Sequence, residues 1–145
     1  MSFNEGDEAV MSRRQRWRFG CAFALLAYAA GVGAAAVRTP HVEAELVSES
    51  AAVVAGHRTT IALRLKIEDG WHTYWRNPGD SGLPTTIEWK LPPGFSAGAI
   101  QWPAPQALQV GPLVNYGYEG TVLHLVTLDV PGELRPGDVA ELAAR

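Results

Sequence analysis

The chain has 145 residues, of which 47% are aliphatic or aromatic and 19% charged, with a formal net charge of −3. That is enough for one globular core plus a targeting segment. Residues 37–145 hold eight bases against twelve acids, so the body of the chain is mildly acidic and excludes nucleic acid as a partner.

Taken in order, residues 1–10 are acidic and do not belong to the segment that follows, which places the expected start of translation at Met11. Met11 to Arg18 is a basic block, and an apolar run from Cys21 to Ala36 closes on Ala34-Ala35-Ala36. A positive start, a short apolar middle and small residues at the end predict a signal helix over 11–36, removed on export. The alternative is a membrane anchor formed by residues 21–36. That run is 16 residues long, short of the ~20 that a membrane-crossing helix needs, and Gly31 and Gly33 weaken it further. Arg13-Arg14 begins a twin-arginine pattern that Gln15 to Arg18 does not continue. Cys21 opens the apolar run instead of following it, as a lipid-bearing cysteine would. It is also the sole cysteine, so a body beginning near Val37 has no disulfide, thiolate nucleophile or zinc–thiolate site.

After Pro40 the apolar period changes to two. Val42–Val47 reads as a first strand. Thr60–Ile67 is the clearest, with Ile61, Leu63, Leu65 and Ile67 on one face and Ala62, Arg64 and Lys66 on the other. Thr86–Leu91 is a further strand, and Thr121–Val130 carries apolar residues on both faces, which predicts a central position. Turn signals fall at Asp69-Gly70, Asn77-Pro78-Gly79, Pro92-Pro93-Gly94, Gly111-Pro112 and Pro131-Gly132. With no helical period after residue 40, residues 37–145 predict an all-β fold, a β-sandwich close to the ~100 residues of immunoglobulin-like domains.

Gly79-Asp80-Ser81-Gly82 matches the nucleophile motif of chymotrypsin-type proteases, but its Asn-Pro-Gly context reads as turn chemistry, with Asp80 and Ser81 hydrogen-bonding the backbone of a tight loop. The histidines at 41, 57, 72 and 124 show no ligand spacing, and no metal or cofactor is expected. His124 is expected to be packed and hydrogen-bonded within its strand. Trp89 is assigned to the core, whereas Trp71, Trp75, Tyr116 and Tyr118 flank turns and are equally suited to packing or to an exposed binding face. Glu68-Asp69 adjoin a turn and are expected to be solvated.

Two stretches, Ile67 to Pro84 continuing to Trp89, and Ile100 to Pro103 through Val114 to Gly120, resemble the periplasmic N-terminal domain of DsbD-type thiol:disulfide interchange proteins. They are most similar to the variant group linked with cytochrome c maturation and suppression of copper sensitivity. The resemblance covers residues 41–145. It implies an immunoglobulin-like sandwich in the periplasm that takes electrons from a membrane-embedded domain and passes them to oxidised periplasmic proteins by thiol–disulfide exchange, with membrane-embedded and thioredoxin-like domains of the same protein as partners. Carried over by position, Asp69, His72 and Tyr74 lie near the redox centre, and Asn115, Tyr116, Gly117 and Tyr118 match the cap-loop region.

The resemblance also implies a cysteine pair after the strand that here reads Asp138 to Arg145. The chain stops there, so it is expected to be an N-terminal fragment that is inactive by itself, incomplete at its C-terminal side and marginally stable or prone to aggregate. The alternative function is a stand-alone exported sandwich that binds a protein or carbohydrate through exposed aromatics.

Overall fold

The computed structural model describes residues 36–145; the expected signal segment and Cys21 lie outside the described residues, apart from Ala36. Ten strands form, all pairing antiparallel: β1 (Val37–Arg38), β2 (Val42–Ser48), β3 (Arg58–Ile67), β4 (Thr73–Gly79), β5 (Trp89–Lys90), β6 (Ser96–Ala97), β7 (Gln106–Val110), β8 (Leu113–Tyr118), β9 (Thr121–Asp129) and β10 (Ala143–Ala144). They make a five-stranded sheet in the order β1-β2-β3-β9-β6, a three-stranded sheet β4-β8-β7, and a small β5-β10 ladder. No helix occurs among the described residues. The architecture is an immunoglobulin-like β-sandwich, with the large sheet as one wall.

The alternation in β3 explains its place. Ile61, Leu65 and Ile67 are buried, while Arg64 and Lys66 face solvent, because successive side chains point to opposite faces. β9 runs beside it in unbroken register from Arg58↔Asp129 to Lys66↔Thr121. It adds Val122, His124, Val126 and Leu128 to the same interior face. β9 is central, with β3 on one edge and β6 on the other, yet Leu123 and Leu125 on its outer face remain partly exposed.

Two apolar clusters divide the interior. Leu65, Ile67, Tyr118 and Val122 join the large sheet to the three-stranded one, with Trp75 and Trp102 packed against them. Ile61, Val126 and Leu128 join it to the β5-β10 layer, against Ile87, Trp89, Leu91, Phe95 and Leu142.

Several sequence expectations change here. Thr86–Leu91 pairs only over Glu88 to Lys90; Ile87 and Leu91 act as core side chains of an extended segment. Asp138–Arg145 pairs only over its last three residues, Ala143 to Arg145. Asp138 closes the preceding Pro136–Gly137 turn, its carboxylate accepting from the Arg135 N–H at 2.8 Å, and Val139 is 90% exposed. Asn77 to Gly79 is the end of β4 and not a turn. The register shift between Tyr74 and Gly79 absorbs Pro78, which has no N–H for a ladder, and moves the turn to Asp80–Gly82.

Candidate functional site

The two stretches singled out above meet on the three-stranded sheet. β4 and β8 pair through Thr73↔Tyr118, Tyr74↔Gly117 and Gly79↔Asn115. Side-chain alternation puts Tyr74, Asn115 and Gly117 on one face and Thr73 and Tyr118 on the other, which packs on the large sheet. The segment after β4 folds back over the first face as a strap.

Hydrogen bonds fix that strap. The Asp80 N–H donates to the Val114 carbonyl at 3.1 Å, and the Asp80 carboxylate accepts from the Val114 N–H at 2.8 Å. Asn115, almost fully buried, accepts through Oδ1 from the Ser81 N–H at 3.1 Å and the Ser81 hydroxyl at 3.0 Å. Two glycines permit close fits here, one between the strap and Tyr74 and one between β4 and β8. A Cβ on Gly82, whose φ is +94°, would run into the Tyr74 ring, and one on Gly117 would overlap the Thr73 carbonyl oxygen. Ser81 therefore spends its hydroxyl on an amide oxygen, with no base beside it, and the protease-like motif is a structural loop.

The candidate residues fare differently. His72 and Tyr74 come together, their rings edge to face at 4.9 Å. Tyr74 and Gly117 are cross-strand partners, and Asn115 holds the strap. Asn115, Tyr116, Gly117 and Tyr118 lie on a strand, not a loop, because β4 and β7 pair with both edges of β8. Tyr118 is a core residue. Its hydroxyl donates to the Pro103 carbonyl at 2.8 Å, and burial pushes its pKa up. Tyr116 is exposed.

Asp69 stands apart on the β3–β4 turn, exposed. Its neighbour Glu68 is not merely solvated: its carboxylate pairs with His41 Nδ1 at 2.8 Å, and its N–H donates to the His41 carbonyl at 3.0 Å. His41 in turn stacks on Trp71, ring centroids 3.5 Å apart and 7° from parallel. Thirty residues separate the two rings in the chain, and no sequence spacing announces that stack.

Behind Tyr118, on the inner face, lies His124. It is fully buried, and neither ring nitrogen has a hydrogen-bond partner, so the expected hydrogen bond is absent. Aromatic edges surround it instead, Trp102 at 5.0 Å and Tyr118 at 5.3 Å. Burial lowers its pKa, because the charged imidazolium is the form that loses most on leaving water. Trp75, in the same cluster, also keeps an unpartnered Nε1. Trp89 packs in the other cluster, as expected.

With no cysteine in residues 36–145, the site can present aromatic and amide groups to a partner. It cannot exchange disulfides, because a thiolate is the obligatory attacking group.

Comparison with known proteins agrees with this architecture. The N-terminal periplasmic domain of ScsB from Proteus mirabilis superposes with a TM-score of 0.54 at 20% identity, covering 79% of this chain and 49% of that one. This chain thus spans about half of that solved chain. No curated protein matches it. The family model described as thiol:disulfide interchange protein DsbD, N-terminal, matches residues 43–144. That segment takes in the whole sandwich from β2 to β10, and the chain belongs to this family.

Proposed function

We propose that this chain is the N-terminal part of an exported thiol:disulfide interchange protein that relays electrons to oxidised periplasmic proteins, with no thiol in its body from residue 37 onward. The sulfur chemistry lies on cysteines carried elsewhere in the parent protein, next to membrane-embedded and thioredoxin-like domains. One observation carries the reading: a family match over residues 43–144 in a segment that contains no cysteine. In this reading Tyr74 and the strap that Asn115 holds form a surface against which a redox partner rests. The basic block and apolar run of residues 11–36 support export, and a periplasmic location follows from it.

The test is insulin reduction with dithiothreitol as the electron source. The purified chain is expected to leave the rate at that of dithiothreitol alone. Acceleration by this chain sinks the assignment of the chemistry to other segments. The parent assignment is tested by reading the genomic DNA beyond codon 145, where an in-frame cysteine pair followed by apolar spans is expected. Unrelated sequence there would overturn it.

A further inference from the structure

The sheet edges of the domain differ in how they resist further pairing. β1, β5, β6 and β10 are two residues long each. β1 carries Arg38, ion-paired with Glu43 at 2.6 Å, and the part of β2 beyond it carries Glu45, paired with Arg64. β4 is bulged between Tyr74 and Gly79 and contains Pro78. Short length, charge, proline and bulges are the devices by which edge strands avoid adding another strand.

β7 has none of them. Gln106–Val110 is five residues long and pairs with β8 in unbroken register from Gln106↔Gly117 to Val110↔Leu113. It contains no charge, proline or glycine. Its second edge faces no strand among the described residues. Alternate residues of an antiparallel edge strand point their N–H and C=O away from the sheet, so β7 offers a straight row of donors and acceptors. Beside it lie exposed apolar side chains: Val110 at 42%, its cross-strand partner Leu113 at 38%, and Tyr116, opposite Ala107, at 40%.

We propose that β7 is a self-association edge through which two copies of this chain join antiparallel into one six-stranded sheet. Charge and symmetry select a second copy as the occupant. β7 meets itself without opposing like charges, whereas the β1-β2 edge would bring Arg38, Glu43 and Glu45 to the seam. A two-fold axis at Leu108 sets Gln106 opposite Val110 of the second copy, Ala107 opposite Gln109 and Leu108 opposite Leu108. Every outward backbone group of β7 then finds a partner, as an isologous interface requires. The same seam covers Val110 and brings the two Tyr116-bearing strands within two strand spacings of the axis, so the candidate surfaces of both copies lie on one continuous sheet.

Sedimentation of the purified protein between roughly 10 µM and 1 mM tests this, the range expected of a small interface. The wild type is expected to show a reversible monomer–dimer equilibrium. Two double variants change only exposed positions of β7. Ala107→Lys with Gln109→Lys places lysines opposite each other across the seam, and Ala107→Glu with Gln109→Glu does the same with carboxylates. Each alone is expected to weaken dimerisation by about tenfold or more, and an equimolar mixture of the two is expected to restore it as a heterodimer. Unchanged thermal unfolding of the monomers shows that the fold persists. A wild type that stays monomeric throughout, a lysine variant that dimerises like the wild type, or a mixture that stays monomeric overturns the proposal.

Discussion

The two ends of the sandwich interior are built from different material. Where Ile61, Val126 and Leu128 meet Ile87, Trp89, Leu91 and Phe95, the packing is apolar apart from the tryptophan N–H. Where Leu65, Ile67 and Val122 meet the three-stranded sheet, the space is shared with Tyr118, His124, Trp75 and Trp102, and the opposite face of that sheet is closed by the Asp80–Gly82 strap. The first end depends on filled volume. The second depends on particular atoms: an amide oxygen, a hydroxyl, and two missing Cβ atoms.

Mutations should separate the two ends. Leu128→Ala, at the apolar end, is expected to cost about 4 kcal/mol, since Leu128 is almost fully buried and leaves a cavity that its neighbours cannot close. Urea unfolding measures it, and a loss below about 1 kcal/mol would mean that this end is loosely packed.

Gly117→Ala is expected to cost about 3 kcal/mol at the other end, because the new Cβ overlaps the Thr73 carbonyl and forces β4 and β8 apart. Gly111→Ala is its control. There φ is +60° and nothing lies within 4 Å of the added carbon, so only the left-handed backbone is penalised, by about 1 kcal/mol. Equal losses would remove close approach as the reason for Gly117.

Asn115→Ala is expected to cost about 2 kcal/mol by leaving the Ser81 N–H and hydroxyl without their acceptor. It should also release the strap, read as faster proteolytic cleavage between Gly79 and Pro84. Cleavage at the wild-type rate would mean that Asp80 alone holds the loop.

The smallest effect at neutral pH belongs to His124. Its folded pKa lies below the unfolded value of 6.5 because of burial. As pH falls through 6.5 the unfolded chain takes up the proton first, so stability declines from there downward and is unaffected well above it. Unfolding followed from pH 8 to pH 5 should show that decline in the wild type, and His124→Phe should flatten it. An undiminished slope in the variant would mean that His124 does not carry the effect.

Legibility in the sequence followed the same division. The strict alternation of Thr60–Ile67 and the long apolar run of Thr121–Val130 identify β3 and β9 to within two residues at either end, because burial of one face leaves a period-two record. Val42–Val47 is likewise β2 short of one residue. Leu113–Tyr118 leaves no such record. Its inner face carries Val114, Tyr116 and Tyr118, but the other carries Asn115, which holds a strap thirty-four positions away, and Gly117, which lies against the Thr73 carbonyl. The family resemblance locates that stretch, yet its residues alone give no strand signal. The strands of two residues are also invisible, since so short a pairing is set by its neighbour and not by its own pattern.

Composition and periodicity by themselves determine an all-β body without thiols after an apolar run, because both facts are written residue by residue. Only the folded chain decides that His124 ends among aromatic edges with no partner, that Trp71 stacks on His41, that Asn115 clasps Ser81, and that β7 keeps an open edge. Those outcomes depend on which distant backbones come within a few ångströms of one another, and that distance is fixed by packing of the two sheets, not by any local run of residues.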